Sequence, residues 1–264
     1  MLLLVAAALP ALLGNQPAPP DCVAVAAPKV NFRPNVARAT SSPWVDSNAW
    51  RFARSPQARY CIDAPGKSTA LAAAEAFAYD VQALLKTGPD GIAPFDQMLA
   101  FLKDLPPAAF PALANIGFVD DGTPQSGELM NLLSRRNLLY RVEAKPDTTL
   151  AVHVTHTEPG DPNKQAYEIR RQLGDDQRLL RLYGTEVVIG RLTGENGRAR
   201  LHLVNYSQRP VTGMRVRVLG KYATATPHIF GVPNAKLTDV TTDPDATEFT
   251  IVNMNEYAVI DLSN

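Results

Sequence analysis

The chain has 264 residues, 45% of them hydrophobic and 20% charged, which is enough apolar side chain to bury a core and rules out disorder throughout. Lys and Arg number 26 against 26 Asp and Glu, and dividing the chain after Val154 leaves 13 of each sign on either side. Neither half therefore carries the concentrated positive surface that binding to nucleic acid needs, and the length fits two modest domains rather than a full eight-stranded α/β barrel with accessory domains.

Met1 to Leu13 contains only apolar residues, the length of a signal-peptide core and well short of the roughly 20 residues that span a bilayer. The expectation is a secreted or periplasmic protein with no stable membrane span after leader removal. No Lys or Arg precedes the run, and Asp21 stands where a lipidated cysteine would need a small residue. The only two cysteines, Cys22 and Cys61, form an even set in an exported chain and predict one disulfide. Residues 15–43 hold six prolines, including Pro19, Pro20 and Pro28. A Pro-rich arm is expected over 23–65, after a leader and arm start over 1–22.

From Ser68 the residues Ala70, Ala73, Phe77, Val81 and Leu84 recur at helical spacing and predict a helix ending near Lys86 and Gly88. A second helix fits Pro94 to Asp104, closed by Pro106 and Pro107. Ile116 to Val119 reads as a strand, Asp120 to Gly122 as a turn, and Thr123 with Pro124 as the cap and first residue of a helix that turns Leu129, Leu132 and Leu133 inward. A strand from Leu138 to Val142 completes a β-α-β unit. Thr149 to Val154 predicts another strand, and Ala166, Ile169 and Leu173 another helix before Gly174. Beyond Arg178 the apolar period becomes two, predicting about seven antiparallel strands. The fold class is thus α/β plus all-β: a Rossmann-like or amidotransferase-like α/β domain over 66–176, then a small antiparallel β-sandwich over 177–264.

Several residues invite chemical readings. Gly66, Lys67, Ser68 and Thr69 resemble the end of a phosphate loop, but Cys61 stands where its first glycine belongs and no clear strand is read before it. His153, His156 and Glu158 on a strand would offer two ligands on one face rather than three, and His202 and His228 are remote, so no metal and no cofactor is expected. Asp120 and Asp121 sit where a strand gives way to a helix, the edge at which α/β sheets bind ligands, and Glu128 lies one turn further on. Turn formation and helix-dipole complementarity are the competing use. Trp44 and Trp50 bracket Asp46, a pattern suited to stacking sugars and binding their hydroxyls, or to docking the arm on a domain. Asn205, Tyr206 and Ser207 form a glycosylation sequon.

The run from Ile116 to Gly122 with its helix, the run from Ala199 to Ser207 and the run from Met214 to Gly220 carry a resemblance. Over Ala114 to Asn264 the chain resembles the non-catalytic tail of multidomain bacterial glycoside hydrolases, in which a glutamine-amidotransferase-like α/β domain precedes a small β-sandwich. The resemblance implies no glutaminase chemistry, because Asp121, Gly122 and Thr123 occupy the turn where that chemistry needs a cysteine. A secreted, non-catalytic protein that binds carbohydrate or another protein is expected, with Trp44, Asp46, Trp50, Asp120, Asp121 and Glu128 as binding candidates. The alternatives are a glycan hydrolase with an acidic site at Asp120, Asp121 and Glu128, and a structural oligomerisation module.

Overall fold

The computed structural model describes residues 9–14, 19–31, 43–147, 149–157 and 160–264. The first layer is a parallel sheet of β1 (Ala11–Leu12), β2 (Cys22–Ala26), β5 (Arg59–Asp63) and β6 (Gln82–Lys86), ordered β1-β6-β5-β2. Ala11 and Leu12, from the apolar run at the start of the chain, pair with Leu84 and Leu85. Residues 22–26, expected in an extended arm, are instead a full strand in register with β5, and a disulfide joins Cys22 to Cys61 across the pair. Val23 and Val25 favour the pleat, and the prolines fall outside the strand. β3 (Lys29–Asn31) and β4 (Trp44–Asp46) pair antiparallel and lead into α1 (Ala49–Arg54).

The long helix expected to Lys86 stops early. α2 (Ser68–Ala78) ends at Tyr79, Asp80 takes a left-handed φ of 54°, and the chain re-enters the sheet as β6. Gln82 to Lys86 alternates exposed and buried positions with Ala83 and Leu85 inward, a period of two that outweighs the helical spacing of Val81 and Leu84. In α2, Ala72, Ala73, Ala74 and Ala76 are wholly buried, so the helix lies close against its neighbours. α3 (Pro89–Asp104) begins a turn and a half before the expected Pro94. Gly88 is extended, Pro89 takes the first helical position, and Pro94 is carried inside the helix.

The β-α-β unit forms as read, with β7 (Ile116–Val119), α4 (Pro124–Arg135) and β8 (Tyr140–Glu143). Thr123 Oγ1 accepts the Ser126 amide at 3.1 Å to cap α4. β9 (Val152–Val154) joins on the other side of β7, giving a parallel sheet β8-β7-β9. α5 (Pro162–Leu173) starts on an Asp161 cap and stops at Gly174, whose φ is 73°.

Eight strands follow among the described residues, against about seven expected. They are β10 (Leu180–Tyr183), β11 (Val188–Glu195), β12 (Arg198–Asn205), β13 (Val211–Leu219), β14 (Thr224–Ile229), β15 (Leu237–Thr242), β16 (Ala246–Met254) and β17 (Tyr257–Ser263). They make two antiparallel sheets, β10-β13-β16-β15 and β11-β12-β17-β14. Leu201, Ile260 and Leu262 from one sheet and Val216, Phe249 and Ile251 from the other bury one shared apolar cluster. The second sheet is covered on its other face too: Ile189, Val204, Tyr257 and Val259 pack with the alanines of α2 and with Phe95, Met98 and Leu102 of α3. This explains why seven of the eight residues of β12 are buried, where a one-sided strand would alternate. No helix among the described residues is long and apolar enough to cross a membrane.

Candidate functional site

The β3–β4 hairpin and α1 build one wall of a cavity of about 300 Å³, and α4 builds the facing wall. In β4 the alternation sends Val45 into the core at 1% exposure, which leaves Trp44 and Asp46 on the opposite side, facing the cavity. Asp46 accepts a hydrogen bond from Asn31 Nδ2 at 2.5 Å across the hairpin. Trp50 and Arg51 enter from the first turn of α1, and Glu128 with Asn131 from one face of α4. Four of the six residues expected to bind are therefore brought together: Trp44, Asp46, Trp50 and Glu128 line the same hollow.

Asp120 and Asp121 are not among its walls. Asp120 is held by Arg54 through Nε at 2.7 Å and Nη2 at 2.8 Å, and it accepts from Ser126 Oγ and the Gly122 amide. Burial acts to raise its pKa, but the hydrogen bonds from Ser126, Arg54 and Gly122 outweigh it and hold the carboxyl below its ordinary value. Asp121 is lowered by hydrogen bonds from the Thr123 hydroxyl and amide, the latter at 2.9 Å. Both carboxylates thus shape the turn and the start of α4, and the acidic cluster of Asp120, Asp121 and Glu128 is replaced by the pair Asp46 and Glu128 facing one cavity.

The indoles also bind the layers together. The Arg135 guanidinium lies 3.7 Å from the Trp44 ring centroid, and Arg51 lies 4.3 Å from that of Trp50. A Cβ at Gly127 would fall 2.8 Å from Trp50 Cζ3, so only glycine lets the ring rest on α4. Docking and cavity lining are here one arrangement, with both rings half-buried.

The cavity floor rests on a group that sequence reading passed over. Glu75 of α2 is fully buried, and its carboxylate accepts from the Asn48 amide at 2.7 Å, from Asn48 Nδ2 at 3.3 Å and from the Tyr206 hydroxyl at 2.7 Å. Asn48 Nδ2 also donates to the Ala26 carbonyl at 2.9 Å, so one side chain fixes the turn between β4 and α1 against both β2 and α2. Burial pushes the Glu75 pKa up to about 7, against the opposing effect of those hydrogen bonds. The signal for Glu75 was its isolation as the one charged residue in an alanine-rich run, and the signal for Asn131 its i, i+3 spacing from Glu128. The Asn131 Oδ1 is buried and finds no donor among the described residues.

The remaining candidates have structural occupations. β5 supplies the strand that was missing before Gly66, but Asp90 Oδ2 stands 3.0 Å from where a Gly66 Cβ would be, and Thr69 Oγ1 is engaged with Ala64 O at 2.6 Å and Thr87 Oγ1 at 2.9 Å. A carboxylate at that loop opposes a phosphate. His153 lies on β9, His156 falls beyond the strand end, and Glu158 lies outside the described residues. Among the described residues no three His, Cys, Asp or Glu side chains converge as a metal site. The sequon asparagine Asn205 is 1% exposed, and its amide donates to Arg209 O and Asn255 O.

No family model and no curated protein sequence matches the chain. Among solved structures, it superposes on alpha-L-fucosidase isoenzyme 2 from Paenibacillus thiaminolyticus with a TM-score of 0.56 at 7% identity, over 78% of this chain and 60% of that one. The chain thus spans about three fifths of the fucosidase's length. An alpha-amylase from Geobacillus thermoleovorans matches at 10% identity over 82% of this chain and 57% of its own, with a TM-score of 0.17. Amy13B of Eubacterium rectale matches at 10% identity over 78% and 53%, with a TM-score of 0.18. The fucosidase superposition is that of a shared fold, and the two amylase scores fall below that level. At 7% identity the match to the fucosidase establishes likeness of fold alone.

Proposed function

We propose that this chain is an exported, non-catalytic accessory module of glycoside-hydrolase descent, an amidotransferase-like α/β part followed by a β-sandwich, which binds carbohydrate in the Trp44 and Trp50 cavity. The observation that carries the reading is the convergence of two indoles with Asp46, Glu128 and Asn131 around about 300 Å³. Aromatic faces give apolar contact to a pyranose ring, while short acceptors take its hydroxyl protons.

Calorimetric titration with fuco-, malto-, cello- and xylo-oligosaccharides, with release of reducing ends followed in parallel, tests it. Binding of at least one oligosaccharide without turnover, weakened roughly tenfold or more by Trp44→Ala, supports the reading. Absence of binding across the panel refutes it. Turnover abolished by Glu128→Gln replaces it with a hydrolase whose carboxylates are Asp46 and Glu128.

A further inference from the structure

A second cavity, of about 200 Å³, lies where α1, the residue after α2, β8 and β11 meet, and shares no lining residue with the first. Three rings enclose it, those of Phe52, Tyr79 and Tyr140. Its polar groups can be counted individually. Asn137 spends both ends of its amide, donating to Val188 O at 3.1 Å and accepting from the Gly190 amide at 2.7 Å. Arg191 donates to Ala78 O at 2.6 Å and lies 5.1 Å from the Tyr79 centroid. Arg141 is taken by Glu143 and Asp147. Arg141 is thus ion-paired, and the Arg191 guanidinium is engaged by a carbonyl and a ring face.

Two hydroxyls remain. Ser134 Oγ gives its single proton to Met130 O at 3.0 Å, so in its 3.1 Å contact with Tyr140 the tyrosine is the donor, and the phenol oxygen of Tyr140 is left as an acceptor. The Tyr79 hydroxyl has no hydrogen-bond partner among the described residues and can both give and take. The cavity therefore offers an aromatic enclosure with one free donor and acceptors beside it. We propose that it is a binding site for a small uncharged phenol or single-ring aryl alcohol, whose one hydroxyl bonds to Tyr79 and Tyr140 and whose ring fills the space beside Phe52.

Size and polarity select this class. An apolar cavity of about 150 Å³ holds benzene, so about 200 Å³ takes one substituted ring and no disaccharide. A monosaccharide would bring several hydroxyls to two free side-chain hydroxyls and leave most of them without a side-chain partner, which penalises it against a phenol.

Titration of phenol and p-cresol into the full, disulfide-intact chain, by calorimetry or ligand-observed NMR, tests the site. Saturable binding with a Kd below about 1 mM is expected. Tyr79→Phe keeps the ring and removes the free hydroxyl, so it should weaken phenol roughly three- to tenfold while toluene binding is retained. Ala53→Leu fills the wall and should abolish both, with Trp44→Ala without effect. Failure of phenol and p-cresol to saturate by 10-fold above that concentration overturns the proposal. Binding that is indifferent to both Tyr79→Phe and Ala53→Leu overturns it as well, by placing the ligand elsewhere. Circular dichroism and thermal melting of each variant separate loss of binding from loss of fold.

Discussion

Glu75→Gln should remove a pH dependence of folding stability that the wild-type chain carries between about pH 4.5 and 7. Glu75 is wholly buried, and burial raises its pKa from 4.5 to about 7. Across that window the folded protein keeps a proton that the unfolded chain has released, so stability is fullest below pH 4.5 and declines as pH climbs to 7. The difference of about 2.5 pKa units corresponds to roughly 3 kcal/mol between pH 4.5 and 8. His202 acts in the opposite sense, because burial holds it neutral far below its ordinary 6.5 while the unfolded imidazole protonates. For this reason the quantity to measure is the wild-type minus variant difference. Urea unfolding at half-unit steps from pH 4.5 to 8 gives it directly. A glutamine carbonyl still accepts from the Asn48 amide and the Tyr206 hydroxyl, which donate to Glu75 Oε1 at 2.7 Å each, so the variant should fold. At pH 8 it should be the more stable protein relative to its own value at pH 4.5. Parallel wild-type and variant profiles over that range would refute the assignment of a shifted, buried carboxyl.

Replacing both Cys22 and Cys61 by Ser should cost about 4 kcal/mol in the chain-entropy account of a cross-link spanning 39 residues, read as a lower urea midpoint, and an unchanged midpoint would contradict the bond. Arg54→Met strips Asp120 of its forked partner; with side-chain exposures of 21% and 12% the loss should be about 1–2 kcal/mol at pH 7, and NMR titration should find the Asp120 pKa higher than in wild type. Gly127→Ala gains about 1 kcal/mol of helix propensity but drives a methyl to within 2.8 Å of Trp50. Overpacking of about 1–3 kcal/mol should make it a net loss with an altered tryptophan emission, and a more stable variant would show that Trp50 does not rest there.

Local chemistry was legible wherever one residue decides one geometry. Thr123 followed by Pro124 fixed the start of α4, Gly174 the end of α5, and the alternation around Leu201 and Val216 the strands of the second half. Val81 and Leu84 misled because a short apolar run satisfies both periods until its packing partners are known, and the turn at Asp80 has no strong sequence mark. Edge strands β14 and β15 were hidden for a related reason: exposed Thr, Asp and Pro227 replace the inward apolar set. At the site, Trp44, Asp46 and Trp50 could be chosen together because they are neighbours in sequence. Glu128 was chosen for the wrong companions, since Asp120 turns toward Arg54 while Glu128 turns across α4 toward the indoles. The contribution of Glu75 to Asn48 and Tyr206, 27 and 131 residues away, is a tertiary coincidence that no spacing rule reaches.

Over β11, β12 and β17 the sheet β11-β12-β17-β14 is covered on both broad sides, with α2 and α3 against one and its sister sheet against the other. A chain severed before Arg178 would leave Ile189, Val204, Tyr257 and Val259 as a bare greasy wall, prone to clump with its own copies. Melting should consequently run as a single cooperative event, and the C-terminal third is not a portable cassette to be grafted onto unrelated enzymes.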